Sequence, residues 1–216
     1  MERLLRLLQL ADSALPVGAA AHSFGLESLI QEGLLGADEL ESFLRGYLEE
    51  SGRLDAAFCR SAHSLTELRG EEFSMRWRNL NQRLSARKLS RESRDASLTL
   101  GRRFLGLASQ LLPGAIPGAT ETDSHHVAAF GLVAGVAGID ERSAALAWLH
   151  QSITALVSAA QRLAPLGQTR ASMILWSLKP VMAEIAQSAA VENCFTPVPE
   201  IAAMRHAKLT TRLFIS

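Results

Sequence analysis

The sequence predicts an all-α protein: an irregular bundle of roughly eight to ten helices within a single domain, 1–216. Three observations predict it. Apolar residues recur every three or four positions through nearly every segment, the spacing of a helix with one buried face. Alternation of apolar and polar residues, the mark of a half-buried strand, is scarce, and no strand–helix–strand rhythm occurs. Prolines, glycines and capping residues separate the periodic stretches, but no repeat, low-complexity tract or linker divides the chain.

The elements follow in order. Leu4, Leu5, Leu7 and Leu8 begin an apolar helix that Pro16 and Gly18 break, Pro by fixing φ and Gly by admitting angles closed to other residues. A second helix restarts with Leu26, Leu29 and Ile30, and Gly33 is its expected C-cap. The break between them, LADSALPVGAAAHSFG, leaves backbone donors and acceptors to be satisfied, with Asp12, Ser13, His22 and Ser23 as the local side chains for the task. Asp38 is the expected N-cap of the next helix, with Glu41 in a capping-box position and Leu40, Phe43, Leu44, Tyr47 and Leu48 on its apolar stripe. A helix over 54–68 closes at Gly70, and Phe73, Trp77, Leu80 and Leu84 stripe the one after it. A long helix over 90–112, basic on one side, ends at the turn LPGAIPG. The Gly- and Ala-rich stretch 127–138 reads as a buried central helix, its Gly131, Gly135 and Gly138 admitting a close neighbour. Asp140 is the expected cap of a helix with Leu146, Leu149, Ile153, Leu156, Val157, Ala160 and Leu163 on one core face. The last long helix, 169–190, carries Met173, Ile174, Trp176, Leu178, Met182 and Ile185, with a kink or break at Pro180. Pro197 and Pro199 predict an extended start to the final segment, 195–216, followed by a short helix over 200–206. Apolar and basic residues at a chain end, with no long helix to bury them, either dock on the bundle or order on a partner.

Composition narrows the function. Lys and Arg balance Asp and Glu at 22 each, which argues against a general binder of nucleic acid or anionic membrane. The longest apolar run, Val127–Ile139, has 13 residues, short of the about 20 that a membrane span needs. Glu2, Arg6 and Asp12 interrupt the leucine-rich start, unlike a signal peptide. Cys59 and Cys194 give no disulfide framework and suit a reducing compartment, so the expected location is cytoplasmic. Charge is uneven: nine basic residues lie between Arg76 and Arg103, and seven carboxylates between Glu32 and Asp55. Each is a solvated helix face or part of a protein docking surface.

Catalytic signatures are missing. The sequence holds no GxxxxGK[ST] phosphate loop, no GxSxG elbow, no HExxH and no CxxC. Cys59 and His63, four apart on one helical face, are the candidate pair for a metal carrier or small enzyme, yet two ligands do not close a site. The adjacent His125 and His126 cannot share a helical face and read as capping or surface groups. His22 and His206 sit where the backbone is irregular and read as hydrogen-bonded structural groups. Arg91, Glu92 and Arg94 read as a cluster pairing along a helix or steering a partner. No cofactor is expected.

Several segments together resemble one family, the UreF-type urease accessory proteins. They are LLQLADSALPVGAAAHSFGLESLIQEG, SRESRDASLTLGRR, AAFGLVAG, LHQSITALVSAAQRLAPLGQT and the terminal MRHAKLTTRLFIS, in that order along nearly the whole chain. Two positions depart from the family's pattern, Ala20 in the break and Ala207 after the RH of the tail. The resemblance implies a non-enzymatic helical protein, a homodimer that bridges a UreD/UreH-type partner and the GTPase UreG. It also implies support of GTP-dependent nickel insertion into apo-urease and an influence on the GTPase cycle. Carried over by position, Arg205, His206, Arg212, Leu213 and Phe214 are the expected residues for the UreD/UreH-type partner, Leu213 and Phe214 being exposed apolar anchors unless covered. Pro16, Gly18, Ser23, Gly25 and Glu27, with Gly167 and Gln168, either fix backbone shape or face UreG.

Overall fold

A computed structural model describes residues 1–118, 123–188 and 197–215. Its α-helices are α1 (Glu2–Leu10), α2 (Leu26–Gln31), α3 (Leu40–Tyr47), α4 (Arg53–Ser64), α5 (Gly70–Arg87), α6 (Arg91–Leu111), α7 (His126–Val136), α8 (Glu141–Leu163), α9 (Gln168–Ser177), α10 (Lys179–Gln187) and α11 (Pro197–His206). No strand occurs among the described residues. The chain is the predicted irregular all-α bundle.

Two pairs of these helices follow one another directly, one continuous and one broken. A π-helical turn over Leu48–Gly52 carries α3 into α4 without a break. Gly52 passes this turn because an added Cβ would press Leu149 at 3.2 Å. Leu178 alone separates α9 from α10, where Pro180 falls in the first turn of a new helix and its missing N–H costs nothing. The predicted break is therefore real. Residues 189 and 190, expected to continue this helix, lie outside the described residues.

The centre is α7. Its residues from Val127 to Ala134 are all buried, the pattern of a helix apolar on every side and enclosed by others. It packs between α4, α6 and α8. Gly131 makes the α4 contact possible: a Cβ there would stand 2.1 Å from the Cys59 carbonyl oxygen. A second apolar cluster joins one face of α8, from Ala145 to Ala160, to α2, α3, α9 and α10, with Ala202 and Phe214 of the C-terminal segment.

Side-chain caps open two helices, and the one at Asp140 is the expected one. Ser90 Oγ accepts from Ser93 N at 3.3 Å at the start of α6, and Asp140 Oδ1 accepts from Ser143 N at 2.9 Å at the start of α8. Gly33 follows α2 with φ +70°, as its expected place requires. The α3 cap differs. Glu39 is the N-cap and its side chain does not cap; Asp38 instead pairs with Arg170 at 2.7 Å, and Glu41 accepts from Ser177 Oγ at 2.7 Å. The capping box gives way because α9 lies alongside and takes both carboxylates.

Several apolar residues assigned to core faces are exposed. Leu146 of α8, and Met173 and Trp176 of α9, face outward, as do Leu4, Leu5 and Leu8 of α1. Trp176 lies beneath the Lys179 ammonium, 3.8 Å from the ring centre. Helical spacing identifies a face but not whether the molecule itself covers it.

Candidate partner-binding surface

The break is a built structure. Gly18, φ +87°, opens a single 3-10 turn over Ala19–Ala21. Its carbonyls go to side chains from elsewhere: Arg103 Nη1 donates to Val17 O at 3.4 Å and Arg162 Nη1 to Ala20 O at 3.1 Å. The tail closes it, Ile215 N donating to Ala21 O at 2.8 Å. Phe24 and Gly25 then both take positive φ, +50° and +90°, and turn the chain into α2. At Gly25 an added Cβ would stand 2.7 Å from Pro199 O and 2.9 Å from Ala203 N, so α11 lies directly on this backbone.

The prolines predicted to hold the tail extended instead sit in the first turn of α11, where a missing N–H is no loss. This helix and the segment after it are fastened by one carboxylate. Glu27, wholly buried, accepts from His206 Nε2 at 2.9 Å, Leu213 N at 2.7 Å, Phe214 N at 3.2 Å and Gln31 Nε2 at 3.1 Å. His206, also wholly buried, places Nδ1 3.1 Å from Glu92 Oε2. Glu200 Oε2 accepts from Ser90 N at 2.7 Å, a further tie between α11 and α6.

Most of the residues singled out from the sequence converge here. Ser23 is buried in the break, and Gly25, Glu27, His206 and Phe214 form the fastening. Phe214 is only 4% exposed, with the Arg162 guanidinium 4.3 Å from its ring centre, whereas Leu213 is 57% exposed. Arg205 pairs with Glu32 at 2.9 Å near the surface, a contact of about 0–1 kcal/mol. Arg212 and Pro16 are exposed. Gly167 and Gln168 begin α9, both exposed and outside the Glu27–His206 network. Val198, Ile201 and Met204 of α11 and Leu213 and Ile215 after it are exposed apolar residues, in the same segment as the exposed Arg205 and Arg212.

Sequence reasoning missed Arg162 and the inward role of Glu92, which it placed in a cluster with Arg91 and Arg94. Glu92 turns inward to His206 rather than pairing with its neighbours; Arg91 meets Asp95 at 3.4 Å and Arg94 Nη1 donates to Lys88 O at 3.1 Å. Contacts spanning more than a hundred positions leave no local signal.

The other candidates form no reactive centre. The Cys59 thiol is wholly buried, and burial, reinforced by Asp55 and Glu141, pushes its pKa up. His63 Nε2 bonds Ile139 O at 2.8 Å. His125 caps no donor with its ring and is not at the surface: it lies between Ser85 Oγ, 2.8 Å, and Ser97 Oγ, 3.0 Å. His126 packs edge-on against Trp148, ring centres 4.9 Å apart. Burial first, then Lys88, holds both near a pKa of about 3, so both are neutral. His22 is lowered by burial and then by Arg103. Among the described residues no group of three or more His, Cys, Asp or Glu could hold a metal ion, and no helix is long and apolar enough to cross a membrane.

A family model described as UreF matches residues 34–179. A Urease accessory protein UreF of a Nostoc species is 34% identical over 221 residues, covering 98% of this chain and 95% of that protein. One from Paenarthrobacter aurescens is 32% identical over 230 residues, covering 98% and 97%. A Urease accessory protein F of Oryza sativa subsp. indica is 29% identical over 221 residues, covering 95% and 82%.

Proposed function

We propose, from the premise that this chain belongs to the UreF family of urease accessory proteins, that it is a non-catalytic scaffold for urease maturation. Its C-terminal surface takes a UreD/UreH-type partner, and the break side faces the GTPase UreG. The assembly then inserts nickel, as cargo, into apo-urease with GTP hydrolysis, and the scaffold modulates the GTPase. It acts in the cytoplasm.

One observation supports this reading above others. The Glu27–His206 fastening fixes the segment that exposes Val198, Ile201, Met204, Leu213 and Ile215 together with Arg205 and Arg212. Apolar anchors next to arginine on a rigid base make a protein docking surface. A homodimer is part of the proposal, and the exposed leucines of α1 with Met173 and Trp176 of α9 are apolar surfaces that a second copy would cover.

Reconstitution tests it. Purified chain should capture the UreD/UreH-type protein and UreG, and urease activation should require it. Leu213→Asp should leave the thermal midpoint unchanged and weaken capture of the UreD/UreH-type protein at least tenfold. Activation that proceeds equally without this chain, or capture untouched by the variant, refutes the respective part.

A further inference from the structure

The charge of the C-terminal segment limits what kind of face can cover it. After Glu200 the chain holds no acid, while Arg205, Lys208 and Arg212 remain. The whole chain balances 22 basic against 22 acidic residues, so this segment is a local excess of positive charge. Three of the carboxylates that α11 meets are engaged in holding it down. Glu27 and Glu92 both bond the buried His206, and Glu200 accepts from Ser90 N at 2.7 Å. On the outside, Glu32 pairs with Arg205 at 2.9 Å. Lys208 and Arg212 are exposed and make no ion pair among the described residues.

The exposed apolar residues lie with these charges. On α11 the buried residues are Ala202, Ala203 and His206. Ile201, Met204 and Arg205, spaced by three and four, fall on the other side of the helix and are exposed. The tail is laid against the end of the same helix. Glu27 Oε2 accepts from His206 Nε2 at 2.9 Å and from Phe214 N at 3.2 Å, so one oxygen brings the two together. Gln31 Nε2 donates to Thr211 O at 3.2 Å, and the next residue, Glu32, holds Arg205. Arg205 and the chain at Thr211 therefore meet at the end of α2. With Phe214 turned in, Leu213 and Ile215 remain out.

We propose that the protein face covering this surface is acidic, an apolar centre flanked by carboxylates that meet Lys208 and Arg212. Its owner is the UreD/UreH-type partner, so the inference rests on the scaffold reading and adds the chemistry of the complementary face. Opposite charges around an apolar contact speed encounter and fix register, while buried apolar anchors set how long the complex lasts. A second copy of this chain fits poorly here. An isologous contact would set this basic segment against itself, and like charges in an interface repel.

Binding kinetics of the full chain with the UreD/UreH-type protein test it. Wild-type association should slow about tenfold as salt rises from about 20 mM to about 300 mM, with dissociation nearly constant. The double variant Lys208→Glu, Arg212→Glu should associate about tenfold more slowly at low salt and lose that salt dependence. Lys208→Gln with Arg212→Gln should fall between. Arg142→Glu makes the same change of sign at the far end of α8, about 30 Å along the helix from the Arg162 that stacks on Phe214, and should leave both rates unchanged. Leu213→Ser should act chiefly on dissociation. A flat salt profile, or a double variant that associates as fast as Arg142→Glu, overturns the acidic face; faster dissociation of Leu213→Ser then still upholds the surface itself. If Leu213→Ser also leaves both rates unchanged, the scaffold reading of this surface fails with it. A double variant that instead slows capture of UreG, or alters self-association, gives the face to that occupant and overturns the proposal. The wild-type salt profile needs no substitution and decides alone if a variant loses its cooperative melt.

Discussion

Replacing Glu27 by alanine removes the acceptor shared by His206 Nε2, Leu213 N, Phe214 N and Gln31 Nε2. Water reaches Gln31 and partly reaches Leu213, but His206 and Phe214 are buried. A buried donor left unsatisfied costs about 1–3 kcal/mol, and His206 and Phe214 each leave one. Together the loss is about 4 kcal/mol, close to a thousandfold in the equilibrium that holds the tail down. The fastening ties the tail to α2 and α6, while the core centres on α7, so the loss should be local. Hydrogen exchange followed by mass spectrometry should show peptides over 206–215 exchanging about a thousandfold faster, with α7 peptides protected as before. Glu27→Gln keeps one oxygen acceptor and should fall between. Tail peptides that exchange no faster than wild type would refute the fastening, and equal loss of protection in α7 would refute its local character.

Other substitutions test the close approaches and the buried imidazoles. Gly25→Ala combines a disfavoured φ of +90° with a Cβ 2.7 Å from Pro199 O, so it should displace α11, lower stability by about 1–3 kcal/mol and weaken capture of the UreD/UreH-type protein. Gly131→Ala places a Cβ 2.1 Å from a backbone oxygen that cannot swing aside; a loss above about 3 kcal/mol in denaturant unfolding is expected. The pKa values of about 3 for His125 and His126 predict acid sensitivity. Both are depressed from an unfolded value of about 6.5, so the unfolded chain takes up the protons first, and stability falls as pH drops from about 6.5 toward 3. Each contributes a slope of about 1.4 kcal/mol per pH unit, against which the raised Asp55 works in the opposite sense over the carboxylate range. His126→Phe, packed between Phe104 and Trp148, should make the fall of thermal midpoint with acid shallower.

The fold class and most helices were legible because each has its own periodicity. Val127–Ala134, apolar on all sides, announced a centre; Asp140 announced a helix start. What failed was any inference needing a partner distant in sequence. Asp38 and Glu41 have capping-box spacing, but α9 outcompetes the backbone for both. Trp176 and Met173 have core spacing, yet nothing in the described chain covers them. At the tail, the residue types marked Leu213 and Phe214 as a pair, and only packing separates them, one exposed and the other beneath Arg162. Glu27 was picked out by position through the family resemblance; its role as a fourfold acceptor depends on a chain end more than 170 residues away.

The break and the tail are one device because they share side chains. Arg162 donates to Ala20 O and lies on Phe214, so a single α8 residue holds the break and the tail end together. Ile215 N reaches Ala21 O, and Gly25 carries α11 on its backbone. A protein that grips the outer face of α11 therefore pulls on groups bonded directly to the break. Ala20 matters in the same geometry: it is exposed and lines the pocket that residues of the break share with α8. Ala207 follows the buried His206 and is itself exposed, so its identity leaves the fastening untouched. The two departures from the family's pattern thus bear on different things, Ala20 on the pocket at the break and Ala207 on the surface offered to a partner.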